Sequence, residues 1–168
     1  KQILSKDSKN YLAHYYLGKA YIKENRIELA IIEYKIVNEN VLFGEDINEI
    51  EFRQEYASIL LKYNQHNEAL KHYLILTKLE PNNAENYFNC GQIYEQLNRY
   101  DVALGFMQKT TYLDKKHAKA HAEIGLMMYR TKQYNEAKKE IDISLKLNPE
   151  NYSAYYYLGK IFKDAKDL

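Results

Sequence analysis

Small residues recur along this 168-residue chain at a fixed interval, and that interval constrains its fold more than any other feature. Gly91, Gly125 and Gly159 are spaced by 34 and 34, Ala57 lies another 34 before Gly91, and Gly18 lies 39 before Ala57. Ala30, Ala69, Ala103 and Ala137 each follow the small residue of their unit by 12 positions. Both prolines, Pro81 and Pro149, follow it by 24. Self-similarity at such a period marks an array whose units bury their apolar faces against their neighbours.

Within a unit the pattern is helical. Tyr87, Cys90, Gly91 and Tyr94 share one helix face, and Ala103, Met107 and Thr110 form a like stripe on a second. Between them, in "QLNRYD", Asn98 is expected to end the first helix in a left-handed conformation and Asp101 to cap the second. Asn25 and Asn64 hold the place of Asn98 in the first two units, while Asn10, Asn83 and Asn151 stand where first helices should begin. Two antiparallel helices approach closely only where side chains are small, so Gly or Ala on the first is expected to face Ala on the second.

Composition agrees. Two prolines and six glycines are few for a loop-rich or sheet-rich fold. Twenty-four basic against 23 acidic residues give a net charge of +1, which argues against an electrostatic nucleic-acid binder. One cysteine excludes an internal disulfide. No apolar run reaches the roughly 18 residues of a membrane span.

The repeated residues resemble the tetratricopeptide-repeat signature. His14-x2-Leu17-Gly18-x2-Tyr21 with Ala30-x3-Tyr34 carries it in the first unit, and Arg53-x2-Tyr56-Ala57-x2-Leu60 with Ala69-x3-Tyr73 and Pro81 in the second. Tyr87-x2-Cys90-Gly91-x2-Tyr94, His121-x2-Ile124-Gly125-x2-Met128 and Tyr155-x2-Leu158-Gly159-x2-Phe162 continue it. The family's tryptophan site holds His, Arg or Tyr here, and its proline site holds Leu42 and Lys115 in units one and three. The resemblance implies an all-α, right-handed solenoid of antiparallel helix-turn-helix repeats, about four units plus a terminal helix. Its expected divisions are the end of a preceding helix at 1–10, repeat 1 at 11–43, an irregular joint at 44–49, and repeats at 50–83, 84–117 and 118–151. A first or capping helix of a fifth unit follows at 152–168.

The 39-residue interval falls in "VNENVLFGEDINE". There the second helix is expected to run on to about Phe43, with Gly44 ending it, Asp46 capping the next helix and Glu49 completing a capping box. Val41, Leu42 and Phe43 then fill the widened gap or, as the alternative, form an exposed knob. Leu4, Asp7, Ser8 and Lys9 resemble the end of a second helix, with Ser8 at the proline site. The incomplete hairpins at both ends lead us to expect a fragment of a longer repeat protein.

Chemistry-bearing residues are few. His117 and His121 have a metal-binding spacing, but no third ligand completes a set, and His66 and His72 are weaker candidates still; no metal is expected. Cys90 lies on the packing face and is expected to be inert. No catalytic constellation, phosphate loop or cofactor motif is present, so no enzymatic activity is expected of this segment. Tyr21, Tyr34, Tyr73, Tyr87, Tyr94, Tyr100, Tyr134 and Tyr155 fall at interior positions of the repeat.

In the family, first helices line a groove for extended peptides or partner helices. The resemblance assigns to that groove Tyr15, Lys19 and Lys23 of unit one, Gln54, Glu55 and Ser58 of unit two, and Glu85, Phe88, Asn89 and Gln92 of unit three. Glu95 and Gln96 of unit three fall on the same face. From unit four come Lys119, Glu123, Leu126, Tyr129 and Arg130, and from the last helix Tyr156, Tyr157 and Lys160. The middle is acidic and amide-rich, and both ends are basic with tyrosines. Some family members hold a C-terminal carboxylate by a set of Lys, Asn and Arg. Here those positions read Gln54, Ser58, Asn89, Lys119 and Glu123, where only Asn89 and Lys119 fit, so no chaperone-tail clamp is expected.

The expected function is a protein-interaction scaffold binding a peptide segment or partner helix within a larger assembly. The alternative is a substrate-selecting or regulatory arm of an enzyme whose catalytic domain lies elsewhere. No nucleic acid and no membrane insertion are expected, and self-association through the end helices is a variant of the first reading. A bacterial assembly, secretion or cell-envelope role is what the family resemblance implies, and a cytoplasmic location is expected ahead of a periplasmic or envelope-associated one.

Overall fold

A computed structural model describes residues 10–40, 43–44 and 46–164. The expectations on Leu4, Asp7, Ser8 and Lys9, and on Val41 and Leu42, lie outside the described residues. The described elements are all α-helical: α1 Tyr11–Lys23, α2 Ile27–Asn40, α3 Glu49–Lys62, α4 His66–Leu79, α5 Ala84–Gln96, α6 Tyr100–Leu113, α7 Ala118–Arg130, α8 Tyr134–Leu147 and α9 Tyr152–Asp164. The chain divides into two compact units, Lys1–Leu79 and Glu80–Leu168, each built of antiparallel hairpins in chain order. It is an all-α array of helix-turn-helix repeats, the solenoid class.

The repeat is written in local chemistry. Every odd-numbered helix opens on a side chain that accepts a hydrogen bond from a free first-turn N–H. Asn10 accepts from Ala13 (2.9 Å), Asn48 from Glu51 (3.0 Å), Asn83 from Glu85 (3.1 Å), His117 Nδ1 from Ala120 (3.1 Å) and Asn151 from Ala154 (3.2 Å). Each such cap contributes on the order of 1 kcal/mol. Hairpin turns are equally uniform. Asn25, Asn64, Asn98 and Lys132 adopt φ of 57°, 57°, 59° and 62°, and the N–H of the next residue reaches the carbonyl five positions back. This closes α1, α3, α5 and α7 by a left-handed residue, the role asparagine fills at low cost.

Three local expectations are corrected. The residue capping α3 is Asn48 rather than Asp46, and Glu49 is the first residue of the helix, where it accepts from Arg53 Nε (2.7 Å) instead of completing a box. α2 ends at Asn40, and Phe43 is not helical; it packs its ring on Phe52 (5.3 Å) with the Arg53 guanidinium above it (5.0 Å). Asp101 does not cap α6; it lies inside the first turn, favourable to the helix dipole, and the preceding Arg99 makes no side-chain cap.

Hairpin packing centres on the small residues. A Cβ on Gly18 would overlap the Tyr34 ring, one on Gly91 would stand 2.9 Å from Met107 Cε, and one on Gly125 2.7 Å from Ile141 Cγ1. Each notch is thus filled by the residue 16 positions later, from the second helix of the same hairpin. Fully buried Ala30, Ala69, Ala103 and Ala137 allow the close approach from the other side. In the first unit the core is aromatic: Tyr34 contacts Tyr15 (5.9 Å), Phe52 (5.2 Å) and Tyr56 (5.7 Å). In the second unit it is aliphatic and thioether, around Met107, Ile124 and Met127 and around Ile141, Ala154 and Ile161.

A second seam fills the family's tryptophan site with polar pairs 19 residues apart. His14 Nδ1 meets Glu33 (2.5 Å), Arg53 donates to His72 Nδ1 (3.3 Å), and His121 Nδ1 meets Glu140 (2.7 Å). Burial, with Arg53 adding to it, pushes His72 down to about 4, so its ring is the neutral acceptor this pair requires. Tyr87 and Phe106 make the same pairing with two rings (6.3 Å). Among the tyrosines expected inside, Tyr21, Tyr34 and Tyr73 are buried and Tyr87, Tyr94, Tyr100 and Tyr134 partly so. Tyr155 is the exception at 50% exposed.

The notches give two substitutions of opposite sign. Gly125→Ala presses on Ile141 and on the Ala137 carbonyl, so thermal unfolding is expected to show a loss of about 1–3 kcal/mol. Gly159→Ala meets nothing within 4 Å and is expected to gain roughly 0.5–1 kcal/mol from helix propensity. Lys132→Asn places the favoured residue at φ 62° and is expected to raise the melting temperature, with a gain of roughly 0.5–1 kcal/mol.

Candidate peptide-binding faces of the first helices

In the first unit, α1 and α3 lie side by side and a charged network joins them. Lys19 Nζ donates to Glu51 (2.5 Å) and stands 3.4 Å from Glu55, while its ammonium lies 5.1 Å from the centre of the Tyr15 ring. Tyr34, reaching across from α2, donates its hydroxyl to Glu55 (2.6 Å). The hydrogen bond to Glu51 holds the Lys19 ammonium above the ordinary lysine range. Of the expected groove residues, Lys19 and Glu55 are therefore brought together, Tyr15 is buried beneath them, and Lys23, Gln54 and Ser58 stand exposed along the same helices. Tyr16, 58% exposed, packs against Tyr15 (5.4 Å).

In the second unit, the corresponding faces belong to α5, α7 and α9. His117 ties the first two at one end. Its Nδ1 accepts the cap hydrogen bond, so Nε2 carries the proton and donates to Glu85 (3.2 Å), and its ring packs on Phe88 (4.5 Å). Phe88 and Leu126, both expected in the groove, are core residues at 3% and 5% exposure. Asn89 donates to the Glu85 carbonyl (2.9 Å), Gln92 is half-buried, and Lys119 is exposed. At the other end Tyr129 donates to Asp164 of α9 (2.5 Å) and Lys160 lies 4.7 Å over the ring of exposed Tyr156.

Between these ends sits the least balanced group. Glu123 is half-buried on α7, beside Glu95 of α5. Burial first, then the Glu95 carboxylate, push the Glu123 carboxyl up to about 7, against the opposing pull of Arg130. Arg130 stands 3.9 Å from Glu95 and rests its guanidinium on the Tyr100 ring (4.5 Å). Tyr157 of α9 feels all three charges, and burial raises its pKa. Asp164 and Tyr100 were not anticipated. They lie 35 and 30 positions from Tyr129 and Arg130, and nothing in the local pattern marks such partners.

His117 and His121 turn to different partners, Glu85 and Glu140, and among the described residues no group of three or more His, Cys, Asp or Glu could hold a metal ion. Burial pushes the Cys90 thiol up to about 12. Among the described residues no helix is long and apolar enough to cross a membrane.

Stacked hairpins that present polar and aromatic side chains from one helix of each pair define a helical-repeat interaction scaffold. Residues 51–98 match the family profile of the TPR repeat, and solved TPR proteins share the fold of the chain. A solved TPR protein with an unusual peptide-binding site, YrrB, superposes with a TM-score of 0.78 at 21% identity, over 98% of this chain and 78% of that one. The first TPR of Spaghetti (RPAP3), bound to the HSP90 peptide SRMEEVD, gives 0.66 at 24% identity, over 70% of this chain and 94% of that one. Among curated proteins, anaphase-promoting complex subunit 3 of Schizosaccharomyces pombe is 26% identical over 108 residues, 64% of this chain and 16% of that protein. The chain thus spans under a fifth of that relative's length.

The Glu123 environment predicts a pH signature. Its carboxyl is raised to about 7 in the fold and titrates near 4.5 when unfolded. The folded state therefore binds the extra proton, and this stabilisation is full below about 4.5 and lost as pH rises through about 7. Glu123→Gln should change the melting temperature little at acid pH and raise it by roughly 2–4 °C above pH 7. A difference independent of pH would contradict the assignment.

Proposed function

We propose that this segment is a protein–protein interaction scaffold that holds a peptide segment or partner helix on its first-helix faces, within a larger assembly. The observation that carries this reading is the α5–α7–α9 face, where Glu95, Glu123, Arg130, Tyr156, Tyr157 and Lys160 lie on adjacent helices with partly exposed polar ends. Such side chains, pre-ordered by their mutual contacts, lose little further freedom on binding. The peptide carried by the related solved domain supports the same mode. An acidic chaperone tail is not the ligand proposed here, because the Glu95 and Glu123 carboxylates would repel it.

Paired affinity capture tests the reading. One bait is the native chain and the other carries Arg130→Glu, Tyr156→Ala and Lys160→Glu, with folding checked by circular dichroism. Lys139→Glu, on the exposed side of α8, serves as the control bait. A protein retained by the native and control baits and lost from the triple variant is the expected outcome. Identical captures by all three would overturn the assignment of binding to this face.

A further inference from the structure

One hairpin differs from the others at the family's tryptophan site. In three hairpins that seam joins polar side chains, His14 with Glu33, Arg53 with His72 and His121 with Glu140. In the hairpin of α5 and α6 it joins two rings, Tyr87 and Phe106 (6.3 Å), and Phe106 also stacks on Tyr94 (5.3 Å). The residue just before the second member of each pair differs too. It is Ile32, Lys71 or Lys139 in the polar hairpins, all exposed, and Gly105 in the aromatic one. Gly105 lies inside α6, where glycine is the poorest helix former apart from proline. Its missing side chain serves no packing: a Cβ there would meet nothing within 4 Å, whereas one on Gly18, Gly91 or Gly125 would strike the facing helix. What the glycine leaves is an opening. Tyr87, Asp101, Val102, Gly105, Phe106 and Lys109 line a cavity of about 360 Å³, in which Tyr87, Val102 and Phe106 are half-buried.

The rest of the molecule shows what such a notch accepts. At Gly18, Gly91 and Gly125 a helix presents bare backbone, and a neighbouring helix fills the gap with Tyr34, Met107 or Ile141. Gly105 is a notch of the same kind that faces open space, so it fits a helix with one large apolar residue at the crossing. Charge sets the direction of that helix. Asp101, Gly105 and Lys109 follow at intervals of four along one face of α6, which puts the acid and the base about 12 Å apart on either side of the cavity. Both are exposed, and the Lys109 ammonium is held between the rings of Tyr87 (5.8 Å) and Tyr112 (5.0 Å). An antiparallel helix with Glu four residues before its apolar anchor and Lys or Arg four residues after it would meet both charges. Its own charges would then also agree with its dipole.

We propose that the cavity over Gly105 is a second interaction surface, which takes an amphipathic helix of a partner protein. The partner helix runs antiparallel to α6 and seats a large apolar side chain beside Tyr87 and Phe106, against the bare backbone of Gly105. A carboxylate at its N-terminal side pairs with Lys109, and a cation at its C-terminal side pairs with Asp101. A rim carrying both signs of charge suits neither a phosphate backbone nor an anionic lipid surface. The surface is built by α5 and α6 alone and shares no residue with the α5–α7–α9 face, so either can be lost without the other.

The test titrates three synthetic alanine-rich helical peptides into the intact native chain. The matched peptide carries Glu, Phe and Lys in that order at intervals of four; the second exchanges the two charges, and the third has Ala in place of Phe. Gly105→Ile fills the cavity with the residue type that Ile32 supplies at this position in the first hairpin, and it should keep or raise the melting temperature. The matched peptide is expected to bind at or below about 1 mM and to shift the amide resonances of Gly105 and Phe106. Binding should fall about tenfold without the Phe or in Gly105→Ile. It should fall about threefold with the exchanged charges or in Lys109→Glu, a surface variant that guards against a folding defect in the first. No binding of the matched peptide, equal binding by Gly105→Ile and Lys109→Glu, or shifts confined to α7 and α9 would overturn the inference. Dimerisation of the native chain that Gly105→Ile abolishes would also overturn it, by giving the cavity to a second copy.

Discussion

Close approach of two helices at a residue with almost no side chain is the contact on which the rest of this structure depends. At Gly18, Gly91 and Gly125 the neighbouring helix occupies the volume where a Cβ would stand. The occupant may be an aromatic ring, a thioether or a branched aliphatic chain, because the notch demands volume and not identity. That tolerance explains how an aromatic core in the first unit and an aliphatic one in the second arise from the same hairpin. It also explains how the family's tryptophan site can hold His–Glu and Arg–His pairs, since the hairpin is already closed by the neighbouring notch.

Once the hairpins are closed, the first helices within each unit lie close together, and side chains far apart in sequence become neighbours. Lys19 meets Glu51 and Glu55 in the first unit, and Glu95 meets Glu123 and Arg130 in the second. The two clusters have different electrostatic outcomes. In the first, an ammonium bridges two carboxylates and each charge has a partner. In the second, a half-buried carboxyl stands against another carboxylate, and the nearby guanidinium is shared with an aromatic ring. A protein that retains such a group sacrifices stability at neutral pH, and binding surfaces are where that sacrifice recurs.

The fold was legible from spacing because hairpin geometry must be met in every unit. Asn25, Asn64 and Asn98 could be read as left-handed residues, whereas Lys132 could not, since only the register and not its chemistry marks it. Caps were legible at Asn10, Asn83 and Asn151, and missed at His117, whose imidazole does the same work with a less familiar acceptor. The joint after α2 was misread because Gly44 and Asp46 carry turn and cap signals as strong as those of the residues used, Asn40 at the helix end and Asn48 at the next cap. The candidate faces were legible as helices and positions. Their accessible residues were not: Tyr15, Phe88 and Leu126 fall on the expected positions yet are buried, because neighbouring repeats close over them.

By itself the sequence determined the class of fold, the hairpin register and the helix faces, because these follow from steric rules that act over one or two turns of helix. Only the tertiary structure decided which side chains meet, which are left at the surface, and that Glu123 shares its environment with Glu95 and Arg130. The reason is physical. Small residues and caps act locally and so leave a periodic trace in the chain. Charge balance depends on distance in space and on how far each group is withdrawn from water, and neither leaves a mark on the order of residues.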